Sequence, residues 1–212
     1  MQAKTNTKDQ KNVRKSIAIS FLGSDGSGKS TIAKVFQSLG VPIFNSDLEA
    51  KKIINNDVEV INSITSVFGN VYQNGELDRI KIAEVVFNDK DALEKLNKIV
   101  HPKVAEYFEK WILENSNASI LIKEAAILIE SGAYKQMDKI ILATASEDVR
   151  IKRVMNRDSV SKQKVLERMS TQLSDKEKLS FADFSIVNDN KEMVIPQVLE
   201  VYKSLISYLT CS

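Results

Sequence analysis

The stretch with the clearest chemical content is Gly23-Ser24-Asp25-Gly26-Ser27-Gly28-Lys29-Ser30-Thr31. It fits G-x-x-x-x-G-K-[ST], in which successive backbone N–H groups turn inward on a phosphate chain, the Lys reaches the β- and γ-phosphates and the Ser hydroxyl holds Mg²⁺. The implied chemistry is phosphoryl transfer. The spacing is not G-x-G-x-x-G, which argues against a dinucleotide-binding reductase. Three further sets of residues bear on such a reaction. Asp47 follows an apolar stretch and is a candidate for facing the transferred phosphate; it equally suits the N-cap of the helix after it. Glu124 ends a β-branched run, where phosphate-loop enzymes often put a carboxylate that helps organise Mg²⁺; the competing view is a solvated acid. Arg150, Arg153 and Arg157 stand on one face of a helix, with Lys162, Lys164 and Arg168 following after Asp158-Ser159. A charge run of this kind is commonly a solvated face, but arginines in a mobile lid can neutralise charge as the γ-phosphoryl moves.

The elements that would position these groups can be read from periodicity. Ser16–Leu22 is a short apolar run suited to a buried parallel strand, and Thr31–Leu39 has apolar residues at helical spacing. Strand, Gly-rich turn and helix are the order a phosphate loop needs, because the helix N-terminus adds partial positive charge and unpaired N–H groups. Gly40 and Pro42 stop that helix, and Val41–Asn45 is the next strand. A right-handed crossover makes it parallel to the first, so its carboxyl end, followed by Asp47, lies on the loop's side of the sheet. From Asn55 to Asn117 strand signals largely cease. Asn74-Gly75 marks a turn, Asp78 can cap a helix over Arg79–Phe87, and Leu93, Leu96, Val100, Val104, Tyr107 and Trp111 recur at helical spacing. His101-Pro102 interrupts that run and predicts a kink or break; His101, the single histidine, is either a packed helix residue or a substrate contact. Strands resume at Ser119–Leu128, Asp138–Thr144 and Phe184–Asn188, and a last helix runs from about Met193 to Leu209.

These readings give an α/β fold, a phosphate-loop kinase core with a five-stranded parallel sheet between helical layers, a helical insertion on the substrate side and a helical lid. The expected parts are a flexible tail over 1–15, a nucleotide-binding core over 16–48, 118–149 and 181–212, an insertion over 49–117 and a lid over 150–180. Net charge is +2, which gives no reason to expect a nucleic-acid partner, and no apolar run approaches the ~20 residues that span a bilayer. The lysine-rich start lacks the apolar segment of a secretion signal, and the one cysteine, Cys211, cannot make an internal disulfide. A cytoplasmic location is expected, with the chain a monomer or small homo-oligomer.

Several quoted pieces resemble the dephospho-CoA kinase family. They are the loop Gly23–Thr31; Val41-Pro42-Ile43-Phe44-Asn45-Ser46-Asp47 in place of V-P-x-x-D-A-D; Gly75-Glu76-Leu77-Asp78-Arg79; Leu96 to Pro102; Ala126-Ile127-Leu128-Ile129-Glu130; Arg153 and Arg157-Asp158; Arg168 to Gln172; and Val187-Asn188. The resemblance spans Ile17 to about Tyr202. It departs at Ser24, where a Gly is usual, at Asn45, where the first acid is lost, at Ala126, which replaces a proline, and at Glu124, where Asp is common. It implies transfer of the γ-phosphate of ATP to the ribose 3′-hydroxyl of dephospho-CoA, with Mg²⁺, as the last step of coenzyme A synthesis. It further implies Lys29, Asp47 and Arg153 as catalytic residues. Gly23, Asp25, Gly26, Ser27, Gly28, Lys29, Ser30, Thr31, Arg157 and Asn188 would hold the nucleotide, Ser30 and Glu124 the metal, and Asp47, Arg79, His101 and Glu130 the acceptor. A nucleoside monophosphate or other small-molecule kinase on this scaffold is the second reading. A GTP switch is the third; the chain lacks an N-K-x-D guanine signature.

Overall fold

A computed structural model describes residues 16–87, 89–125, 133–170 and 173–211. The tail over 1–15, the stretch Ala126–Gly132 that contains Glu130, and Gln172 lie outside the described residues. The chain divides into two compact units, one made of residues up to Phe44 together with Asn115 onward, the other of Asn45–Glu114.

The first unit is built on a five-stranded parallel sheet of strand order β2-β5-β1-β6-β7. Its strands are β1 (Ile17–Leu22), β2 (Ile43–Asn45), β5 (Ile120–Glu124), β6 (Lys139–Thr144) and β7 (Phe184–Val187). Central β1 is buried along its whole length, which is why Ile17-Ala18-Ile19-Ser20-Phe21-Leu22 is almost continuously apolar rather than alternating. The chain leaves β1 toward β2 on one side and later returns to β6 on the other. Strand order therefore reverses beside β1, and in parallel sheets ligand crevices open at the carboxyl ends of strands at such a point. Helices α1 (Lys29–Ser38) and α9 (Val194–Cys211) pack on the same face as Ile17, Ile19 and Phe21, together with Ile120 and Ile122 of β5. The Phe21 and Phe36 rings meet edge to face there with centroids 5.6 Å apart. Register puts Phe21 opposite Glu124, so β5 ends level with the end of β1, and Glu124 shares the α1 side of the sheet. The remaining described elements are a 3₁₀ turn at Ala133–Gln136 and helices α6 (Glu147–Asp158), α7 (Lys162–Ser170) and α8 (Asp175–Leu179).

The second unit holds α2 (Ser46–Asn56), α3 (Val58–Phe68), a two-stranded ribbon of β3 (Tyr72–Gln73) and β4 (Glu76–Leu77), α4 (Arg79–Phe87) and α5 (Lys90–Glu114). Asn74 and Gly75 both have positive φ, 53° and 83°, the geometry of a two-residue hairpin turn whose twist matches paired strands. The sequence marks that turn but not the short strands on either side of it. Asp78 caps α4, accepting from the Ile80 and Lys81 N–H groups at 3.1 and 3.2 Å. Of the kink or break expected at His101-Pro102, the break does not occur: α5 runs unbroken with Pro102 inside it. Val100, Val104, Phe108 and Ile112 are buried along one stripe of the helix, and that packing outweighs the local preference of a residue before proline. Among the described residues no helix is long and apolar enough to cross a membrane.

Lys123 lies in the buried strand β5 and is only 5% exposed. Burial pulls its ammonium below the usual lysine value of 10.5, to about 8. Between those values the unfolded chain holds the proton and the folded chain releases it, so stability must rise with pH across that window. Denaturant unfolding from pH 8 to pH 10.5 should show that rise in the parent and a flatter profile in Lys123→Met.

Candidate active site

The turn between β1 and α1 is the centre of the site. Gly26 and Gly28 have φ of 78° and 85°, in the left-handed region where a side chain is strained. Each is also hemmed in. A Cβ on Gly26 would come within 2.6 Å of the Arg150 carbonyl oxygen, and one on Gly28 would collide with the Asn188 amide nitrogen. Ser27 N–H donates to the Ser24 carbonyl at 3.2 Å, which closes the turn, and the Thr31 and Ile32 N–H groups close on the Gly28 carbonyl. Gly28 is the N-cap of α1, and no side chain caps this end of the helix. The helix dipole and the Lys29 charge both act favourably on an anion placed at this end. Lys29 Nζ donates to the Gly23 carbonyl at 2.8 Å and lies 3.4 Å from that of Ser24.

Ser30 and Glu124 meet directly. The Ser30 hydroxyl donates to Glu124 Oε1 at 2.8 Å, and Glu124 is 8% exposed at the end of β5. A hydroxyl and a carboxylate at hydrogen-bond distance, beside a phosphate cradle, form a hard oxygen donor set of the kind Mg²⁺ takes, with phosphate oxygens and water completing its shell. No group of three or more His, Cys, Asp or Glu suited to a metal occurs among the described residues.

The basic face of α6 turns onto the loop. Arg153 Nη1 donates to the carbonyls of Gly26 at 3.2 Å and Asn188 at 2.8 Å, while Nη2 donates to the side chains of Asn188 at 3.3 Å and Asn190 at 2.6 Å. Asn188 is anchored by its own N–H on the Thr144 carbonyl at 2.8 Å and reaches the Ser27 carbonyl through Nδ2 at 3.3 Å. Arg157 pairs with Asp25 at 3.1 Å and with Asp158 at 2.8 Å, and Arg168 reaches the other Asp158 oxygen at 2.8 Å. The Arg157 hydrogen bond, helped by Arg168, holds the Asp158 carboxyl down to about 2. Asp158 stays an anion between two guanidinium groups at any physiological pH. Thus Arg153 and Arg157 both lie against the loop, and Asn188 joins them.

The other predicted residues belong to the second unit. Asp47 is exposed in the first turn of α2, and it is not the cap: Asn45 fills that place, accepting the Leu48 N–H at 2.9 Å. The cap reading of Asp47 is thereby corrected, and the asparagine that replaces an acid at 45 has a structural role. Arg79 is exposed at the start of α4, and His101 is half-buried within α5. Sequence reasoning missed Asp175 and Lys178, whose contact with Ser24 is described below. They stand in a polar run whose capping box, Ser174 with Glu177, was the sole local signal.

Gly28→Ala should be a severe change with two separable readouts. A left-handed alanine costs of order 1–2 kcal/mol before its clash with Asn188 is counted. Thermal unfolding should show that loss, and calorimetric titration should show ATP binding gone.

Comparison with known proteins points one way. Residues 17–193 match the family model described as dephospho-CoA kinase. A dephospho-CoA kinase of Bacteroides fragilis (strain YCH46) is 35% identical over 186 residues, covering 87% of this chain and 91% of its own. The crystal structure of TT1252 from Thermus thermophilus superposes with a TM-score of 0.80 at 28% identity, covering 92% of this chain and 98% of that one. The dephospho-CoA kinase from Campylobacter jejuni gives 0.66 at 31%, covering 89% and 96%. The likeness takes in the loop, the sheet and the arginine-bearing helix, and the chain belongs to the dephospho-CoA kinase family.

Proposed function

We propose that the protein phosphorylates the ribose 3′-hydroxyl of dephospho-CoA with ATP, giving CoA and ADP, the last step of coenzyme A synthesis. The observation that carries the reading is the uncapped α1 start, where Lys29 and the Ser30–Glu124 pair converge on a Gly-rich turn in a chain of this family. The acceptor oxygen attacks the γ-phosphorus, the bond from that phosphorus to the β–γ bridging oxygen breaks, and the proton of the hydroxyl passes to the Asp47 carboxylate. Loop N–H groups and Lys29 hold the β- and γ-phosphates. For that, the Lys29 ammonium exchanges the Gly23 and Ser24 carbonyls for phosphate oxygens. Ser30 and Glu124 would hold Mg²⁺, which would supply neutralisation of phosphate charge when bound.

Arg153 and Arg157 add positive charge beside the phosphates and Asn188 supports the loop. Gly23, Asp25, Gly26, Ser27, Gly28 and Thr31 shape the nucleotide site. Arg79, His101 and Glu130 are assigned to dephospho-CoA, within an acceptor-side segment over 49–117, and residues 150–180 serve as the lid. A ribose hydroxyl is a very weak acid, so proton removal comes late and most of the acceleration arises from positioning and charge stabilisation. The protein is read as a cytoplasmic monomer or small homo-oligomer.

The direct test is incubation with ATP, Mg²⁺ and dephospho-CoA, with product identified by mass. A gain of one phosphoryl on dephospho-CoA supports the reading; transfer to a nucleoside monophosphate instead would replace it with the second. Asp47→Asn removes a general base, a contribution typically worth about 10²–10⁴-fold. It should lower kcat by that order while ATP affinity stays near the parent's, and parental turnover would leave Asp47 without a chemical role.

A further inference from the structure

Three consecutive loop residues are each held by a different partner from the segment 150–178: Ser24 by Asp175 and Lys178, Asp25 by Arg157, and Gly26 by Arg153. The first of these links is unlike the others because its lysine is buried. Lys178 is 2% exposed, and its ammonium donates to Ser24 Oγ at 2.8 Å. The same hydroxyl donates to Asp175 Oδ1 at 2.7 Å, and Arg150 Nη1 lies 3.6 Å from that carboxylate oxygen. A serine hydroxyl carries one proton. Accepting from an ammonium turns that proton toward the carboxylate, so both groups together fix a rotor that is otherwise free to turn.

Taking an ammonium out of water is costly, and such a group is weak evidence of a purely stabilising role. Its position says more. The carbonyl of the residue it grips, Ser24, accepts the Ser27 N–H at 3.2 Å and lies 3.4 Å from Lys29 Nζ. Holding the Ser24 side chain therefore holds the peptide that closes the turn and the peptide beside which Lys29 rests. The grip comes from a short helix made rigid by a complete capping box, with Ser174 and Glu177 satisfying each other's N–H groups. Ser24 is not among the non-glycine residues with positive φ, so a side chain here is unstrained, and the hydroxyl is a handle that a glycine at this place would lack.

We propose that Lys178 is a positioning residue for the phosphate loop, acting through the Ser24 hydroxyl to hold the loop in its nucleotide-binding shape. This rests on the proposed function only in taking the loop as the site of ATP. The test uses the full chain, with ATP affinity by calorimetry and kinetics with dephospho-CoA measured separately. A charge-assisted hydrogen bond in a buried site corresponds to about a ten- to a hundredfold effect. Lys178→Met should raise Kd and KM for ATP by that order, with a much smaller change in kcat. Ser24→Ala should weaken ATP in the same direction, and the double variant should be no weaker than the weaker single variant. Lys178→Arg should restore part of the affinity.

Parental ATP affinity in a folded Lys178→Met of lowered melting temperature would overturn the proposal, as would losses that multiply in the double variant. Should Lys178→Met fail to fold, Ser24→Ala carries the test alone, because it removes one oxygen and keeps the lysine; unchanged ATP affinity there overturns it. If the parent binds ATP but leaves dephospho-CoA unmodified, the acceptor assignment fails while the affinity pattern still decides the role of Lys178.

Discussion

The rest of the structure depends on the backbone N–H groups gathered where β1 turns into α1, a helix start that no side chain caps. Here the chain holds them in place with glycines at left-handed φ and places a lysine in the first turn. In the proposed function a phosphate chain is the ligand of that arrangement. The parallel sheet serves it in a simple way. Central β1 is fixed on both sides by β5 and β6, so the turn that follows it starts from a rigid point, and β5 ends where Glu124 can reach Ser30.

The electrostatics of the surroundings follow from the same need. An anion cradle left alone would draw its cations onto its own carbonyls, and Lys29 does lie on Gly23. The arginines of α6 are likewise occupied, Arg153 by backbone and amide oxygens and Arg157 by two carboxylates. These contacts hold long, rotamer-rich side chains beside the loop, and in the proposed function that would reduce the entropy lost on nucleotide binding. Asp158 has the complementary part. Ionised between Arg157 and Arg168, it ties the end of α6 to α7.

How much of this the sequence discloses varies with the range of the interaction involved. The loop, the buried strands and the Asp78 cap depend on neighbours within a few residues, and each is legible as spacing or residue type. The face shared by Arg150, Arg153 and Arg157 is legible too, since helical periodicity sets it. Pro102 does not end its helix because a local conformational preference loses to the packing of the buried stripe Val100, Val104, Phe108 and Ile112. Asp47 and Asn45 compete for the same cap, and residue type alone ranks them nearly equal; geometry picks Asn45. Lys178 is the hardest case. In sequence it is one lysine in an exposed-looking run, Asp175-Lys176-Glu177-Lys178, and only the approach of that turn to Ser24, 154 residues earlier, makes it a buried partner of the loop.

The most direct measurement is a crystal structure of the protein with Mg²⁺ and a non-hydrolysable ATP analogue. The account predicts the β- and γ-phosphates in hydrogen-bond contact with the N–H groups between Gly26 and Thr31. Lys29 Nζ should have moved from the Gly23 carbonyl to a phosphate oxygen, and Ser30 should bear on the metal. Phosphates bound away from this turn, or a Lys29 that stays on Gly23 with nucleotide present, would contradict it.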